Sequence, residues 1–279
     1  MNRRLRDLNL DDLFQAAGVL ELTKRFPALR RLGDGPANAL AELLEAFDAG
    51  VAKGQRSAAA RALLARLGQR VDLAGASLVT SGPRLFVSNH PGLGDALALF
   101  TVLDQPGLRV VAREREFLAA LPALHRSLLV VPENHSAGVL REIEKHLNQG
   151  GAVLTFPAGR IEPDPAWLPV GGQFERWSRS TSLFVRRVPG LQIQPLLVGG
   201  VRLPRFIDPW LARWRRRPED REWTAAVLQL AWQVFRGYGT GPKSALGRIT
   251  VLAGTPLERP PEASELEALV LALREGRRR

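Results

Sequence analysis

From about residue 70 the chain alternates short, nearly continuous apolar runs with stretches that suit helices. The runs are Leu73–Val79, Leu85–Ser88, Leu108–Ala112, Leu128–Val131, Ala152–Phe156, Ile193–Val198 and Ile249–Ala253. Helices are expected over Leu93–Leu103, Ala137–Asn148, Gly172–Ser180 and Glu222–Phe235. Strands that are apolar on both faces cannot leave either face in water. They must lie in a sheet covered on both sides, and helical connections make such a sheet largely parallel. The expected class is therefore α/β: a mixed, largely parallel sheet flanked by helices, with an N-terminal helical element. Functional groups should then gather just beyond the carboxyl ends of the strands.

The first 68 residues lack this alternation and read as helices. Pro36 opens PANALAELLEAF at a first-turn position, and Ser57 is a candidate N-cap for SAAARALLARL. The expected division is a helical element over 1–68 and a catalytic-type domain over 69–279. No run of about 18 apolar residues occurs, so no spanning helix is expected, and the N-terminus has no long apolar run of a secretory kind.

Composition excludes some chemistry. With no cysteine there is no disulfide, thiolate metal site or Cys nucleophile. No ligand cluster suggests a metal. The net charge of +11 favours an anionic partner. Nearly all of it is arginine, with lysine only at 24, 53, 145 and 243. No zinc-finger spacing, RNP-like aromatic run or basic zipper accompanies it, so nucleic acid is not expected. The segment from Pro209 to Arg217 mixes Trp with Arg, which suits either an anionic lipid interface or a solvated face over a core.

One run carries a chemical signature. Leu85-Phe-Val-Ser-Asn-His90-Pro-Gly-Leu-Gly-Asp95 reads as a strand, a glycine turn and a helix start. Gly92 and Gly94 would let the chain return sharply enough for Asp95 to reach His90. A carboxylate on one ring nitrogen fixes the tautomer, and the other nitrogen is then a general base. The chain has no G-x-S-x-G elbow, so the expected chemistry is attack by a substrate hydroxyl that His90 activates.

With these residues the sequence resembles the glycerolipid acyltransferases that carry an H-x4-D motif. Three further blocks follow in order. Val110–Phe117 is similar to the family's strand and basic segment; Phe156-Pro157-Ala158-Gly159-Arg160 to its Phe-Pro-Glu-Gly-Thr-Arg block; and Ile193–Val198, with central Pro195, to its apolar block. A terminal strand running to Gly254-Thr-Pro256-Leu257 is also similar. The resemblance implies transfer of an acyl group from acyl-CoA or acyl carrier protein, as co-substrate and without a cofactor, to a lysophospholipid hydroxyl. It implies His90 and Asp95 as catalytic residues. Arg160, Gly159, Pro157, Phe156, Arg113, Arg115 and Asn89 would bind substrate, and backbone N–H groups at Gly92 and Gly94 would hold the oxyanion. It further implies a cytoplasmic protein associated peripherally with an anionic membrane surface. Ala158 departs from the common Glu, which leaves open an acceptor other than 1-acylglycerol-3-phosphate, such as an amino-acid lipid. A dinucleotide reading of Gly92-x-Gly94 fails at Leu97, where a third glycine is needed. A degenerate membrane- or carrier-binding module is the other alternative.

Overall fold

The apolar runs become strands because each places one set of side chains on either face of one sheet. In the computed structural model, residues 3–132, 137–169, 172, 174, 177, 178, 187–237, 246–257 and 263–276 are described. Among them the strands are β1 (Gln69–Gly75), β2 (Arg84–Ser88), β3 (Leu108–Arg113), β4 (Leu128–Val131), β5 (Ala152–Thr155), β6 (Gln192–Gly199) and β7 (Gly247–Ala253). They form a seven-stranded sheet in the order β1-β7-β6-β2-β5-β3-β4. Pairing is parallel throughout except between β6 and β7. The class expected from the sequence is the one found.

Both faces are covered, as nonpolar alternation demands. On β2, Phe86 enters one core with Leu99, Leu103, Phe47 and Leu64, while Leu85 and Val87 enter the other with Ile143, Leu147, Leu266 and Val270. The first core includes the N-terminal helices α1 (Arg3–Ala17), α3 (Asp34–Ala52) and α4 (Arg56–Arg66), between which lies α2 (Leu20–Arg25). The helical element thus packs on the sheet through Leu5, Phe47 and Leu64.

Ser57 does not cap α4. Gln55 stands at the N-cap, and the Ser57 hydroxyl donates to the Thr101 carbonyl at 3.0 Å, docking α4 on α5 (Asp95–Val102). The expected strand Leu73–Val79 lies four residues earlier, at Gln69–Gly75, because its register is set by β7, from Gln69 opposite Gly247 to Gly75 opposite Ala253. The helix expected over Gly172–Ser180 falls largely outside the described residues.

The order of strands creates the site. From β2 the chain passes through α5 to β3, on the β5 side; from β5 it crosses to β6, on the other side of β2. The connections therefore diverge at the carboxyl end of β2, where α/β sheets open a crevice. The exits of β2, β5 and β6 face that crevice.

Candidate active site

His90 and Asp95 meet at the exit of β2. His90 Nδ1 and Asp95 Oδ2 are 2.5 Å apart. A carboxylate can only accept, so the bond places the ring proton on Nδ1 and leaves the lone pair on Nε2. Among the described residues nothing bonds Nε2. Asp95 is wholly buried and His90 keeps a quarter of its side chain exposed, so the dyad is anchored inside and open at the imidazole edge. Asp95 is fixed further by the Ala96 N–H on Oδ1 at 2.6 Å.

The glycines between them serve packing more than turn geometry. Neither Gly92 nor Gly94 has a positive φ. A Cβ on Gly92 would lie 3.0 Å from Val201 Cγ1, and one on Gly94 3.2 Å from Gln69 Oε1. The turn lies flat on β6's exit and β1, where only a hydrogen fits. The Gly92 N–H, expected at the oxyanion, points to Asp95 Oδ2 at 3.4 Å instead, and Gly94 is the N-cap of α5.

Asn89 lies beneath His90. It is fully buried, its carboxamide accepts the Val198 N–H at 2.8 Å, and it donates to the Val198 carbonyl at 2.9 Å. The side chain continues the β2–β6 ladder one residue past the strand. It ties the exit of β2 to β6 under His90.

The exit of β5 supplies the wall. The Phe156 ring packs on the His90 ring, with centroids 4.9 Å apart. Pro157 is buried, and Gly159 closes the turn with its N–H on the Phe156 carbonyl at 3.0 Å and a φ of +65°. Arg160 is exposed on this turn. Arg113, at the end of β3, brings Nη2 to 3.7 Å from where a Gly159 Cβ would be, so its guanidinium borders the same turn. Arg115 is exposed, and its charge helps to hold down the carboxyl of Asp12 on α1 against the raising effect of burial.

Two buried charges that the motif reading did not select flank the dyad. Glu162 has no exposed surface. Its Oε2 accepts the His90 backbone N–H at 2.9 Å, its own N–H donates to the His90 carbonyl at 2.8 Å, and its Oε1 accepts the Trp177 indole N–H at 2.9 Å. Burial pushes the Glu162 carboxyl up to about 7, against the lowering effect of those donors. Arg202, past the end of β6, is 4% exposed. Its Nη2 donates to the Glu222 carbonyl at 2.8 Å and to its carboxylate at 3.1 Å. Nε and Nη1 have no partner among the described residues. Asp164 braces the loop between them by accepting the N–H groups of Ala166, Gly200 and Arg202.

These charges act on the imidazole. Burial pulls the His90 pKa down; the charge and hydrogen bond of Asp95, with the charge of Glu162, outweigh it, and Arg202 opposes them. The net position is above the ordinary value. Sequence carried a faint signal for both residues. Each is a charge with apolar or proline neighbours on both sides, Ile161-Glu162-Pro163 and Val201-Arg202-Leu203-Pro204.

No protein-family model and no curated protein matches the chain. Among solved structures, the 1-acyl-sn-glycerophosphate (LPA) acyltransferase PlsC from Thermotoga maritima is similar over 100% of this chain and 99% of its own, at 15% identity and a TM-score of 0.49. A likeness of that size assigns no residue a role. Within this chain, the blocks that carry the resemblance to the H-x4-D acyltransferases fall at the exit of β2, on β3 and the turn after it, at the exit of β5, and on β6.

Proposed function

We propose that the chain is an O-acyltransferase that moves a fatty acyl group from acyl-CoA or acyl carrier protein to the hydroxyl of a lysophospholipid, with 1-acylglycerol-3-phosphate as the first candidate. The observation that carries this reading is the His90–Asp95 pair, with Nδ1 bound and Nε2 without a partner among the described residues, at the exit of β2. Nε2 takes the proton of the acceptor hydroxyl as its oxygen attacks the thioester carbonyl. The C–S bond of the tetrahedral adduct then breaks, and the imidazolium returns the proton to the departing thiolate. The products are an ester and a free thiol, and His90 ends neutral. Asp95 stabilises the imidazolium between the two steps.

Arg160, on the Gly159 turn, and Arg113, which borders it, suit a phosphate on the acceptor, since a guanidinium offers a planar pair of donors. Ala158 stands where many H-x4-D acyltransferases have Glu, and it is packed against core residues. The nearby carboxylate, Glu162, is committed to the His90 backbone and Trp177. Ala158 itself offers no acid to the acceptor, so an acceptor with a different head group is the second candidate. The expected setting is the cytoplasmic face of an anionic membrane. No helix among the described residues is long and apolar enough to cross one.

The test is a panel of lyso-lipids, with phosphate and amino-acid head groups, offered with acyl-CoA and with acyl carrier protein. Turnover should require His90 and vanish in His90→Ala with the thermal transition retained. Arg160→Ala should raise the acceptor KM. Absence of His90-dependent turnover across the panel would leave a binding module instead.

A further inference from the structure

The strip of chain that leaves the site carries an exposed indole pair. Val201 lies under the catalytic turn, against Gly92, and Arg202 lies beside the dyad. From there the chain runs through Pro204–Phe206 to α9 (Trp210–Arg213) and α10 (Pro218–Gly237), numbered after α8 (Ala137–Asn148) and the short α6 (Glu116–Ala119) and α7 (Pro122–His125). Trp210 is 65% exposed and Trp214 is 81% exposed. Their rings meet edge to face, with centroids 6.4 Å apart. Large apolar side chains so exposed and so close together mark an interaction surface more often than a solvated face.

The exposure is built, because the backbone beneath the indoles is tied down. Arg213 pairs with Asp208 at 3.0 Å. Arg215 donates to Thr224 Oγ1 at 3.2 Å, to the Ala16 carbonyl at 3.1 Å and to the Gln15 carbonyl, which joins this segment to the end of α1. Arg221 closes on the Arg215 carbonyl at 2.9 Å. Pinned on three sides, the segment still leaves both indoles outward. Beside it, Phe235 is 70% exposed one turn from Trp232, whose ring lies under Arg205 and Arg236.

The chemistry of the strip selects the partner. Between residues 205 and 217 there are five arginines and one aspartate. Indoles beside arginines match the boundary of an anionic bilayer, where the ring sits among head groups and the guanidinium meets phosphate. A single-stranded nucleic acid would need parallel ring faces to stack on, and the 77° angle between Trp210 and Trp214 does not offer them.

We propose that Trp210 and Trp214, with the arginines around them, seat the protein on an anionic lipid surface and so bring the crevice of His90 to the plane in which a lyso-lipid lies. The choice of a lipid partner rests on the acyl-transfer reading above. The test is cosedimentation of the full chain with large unilamellar vesicles of phosphatidylcholine, with and without phosphatidylglycerol. Binding should need phosphatidylglycerol, weaken as salt is raised, and fall at least about tenfold in Trp210→Ser/Trp214→Ser. That double variant should keep its thermal transition, and any activity on a short-chain lyso-lipid below its micellar concentration should stay within about twofold of wild type. Equal vesicle binding by the double variant and wild type would overturn the proposal, as would a wild-type chain that ignores anionic vesicles. Tighter binding to DNA than to vesicles, lost in the double variant, would make the strip a nucleic-acid surface and also overturn it. Binding reads no chemistry: a wild-type chain that binds these vesicles through Trp210 and Trp214 but turns over no lyso-lipid supports the docking surface while removing the acyl-transfer reading.

Discussion

Glu162 and His90 are paired through backbone and side chain at once: the carboxylate accepts the His90 N–H at 2.9 Å, and the Glu162 N–H donates to the His90 carbonyl at 2.8 Å. The loop after β5 thereby grips the loop after β2 at the residue that would do the chemistry. Glu162 also places a buried carboxyl beside the imidazole, negative once ionised, and Arg202 places a positive charge there.

The two charges should move the pH profile in opposite directions. A general base works neutral, so kcat/KM should fall as pH drops through the His90 pKa, which is held above its ordinary value. Glu162→Gln removes a charge that favours the imidazolium, so the acid limb should move to lower pH. Arg202→Met removes a charge that opposes it, so the limb should move to higher pH. Imidazole titration by NMR gives the same readout without turnover. Shifts of one sign in both variants would exclude this electrostatic account.

Glu162 should also write its ionisation into stability. Its carboxyl is raised by burial from 4.5 to about 7 in the folded chain, so between those values the folded state binds more protons than the unfolded one. Stability from this group is present below pH 4.5 and lost as pH rises through 7. The gap is worth on the order of 3 kcal/mol. Glu162→Gln does not titrate, so its stability relative to wild type should improve between pH 5 and pH 8 in denaturant melts. A flat difference across that range would mean the carboxyl does not carry this shift.

Asn89 should behave as a structural residue. Asn89→Leu keeps the branching at Cγ but leaves the Val198 N–H and carbonyl buried without their partner, a loss of about 3 kcal/mol. A variant that melts like wild type but loses acceptor affinity would return Asn89 to the substrate pocket.

Gly159→Ala separates backbone strain from ligand approach. Its φ of +65° costs a side chain roughly 1–2 kcal/mol. The added methyl would nevertheless have room, with Arg113 Nη2 at 3.7 Å. Stability should fall by that amount, and an acceptor KM that rises several-fold on top of it would show that the acceptor comes close to this turn. An unchanged KM would place the acceptor elsewhere.

The central strands are readable because each holds a nearly continuous apolar run; Leu128–Val131 is found with the bounds its sequence suggests. Helix Ala137–Asn148 was equally plain. What failed needed a partner distant in the chain. The register of β1 depends on β7, and Ser57 is drawn to Thr101 on another helix. The dyad is legible because its members lie five positions apart, whereas Glu162 lies 72 positions from His90. The glycines were noticed for a turn, but their requirement is the closeness of Val201 and Gln69, which no local pattern encodes.

The carboxamide of Asn89 has one more consequence. Because it grips both backbone polar atoms of Val198, His90 is attached to the end of two central strands. It cannot withdraw by a local flicker of its loop. The Val198 amide should therefore exchange its hydrogen only when the sheet itself opens, and the ability to do chemistry should disappear in the same event that dissolves the fold.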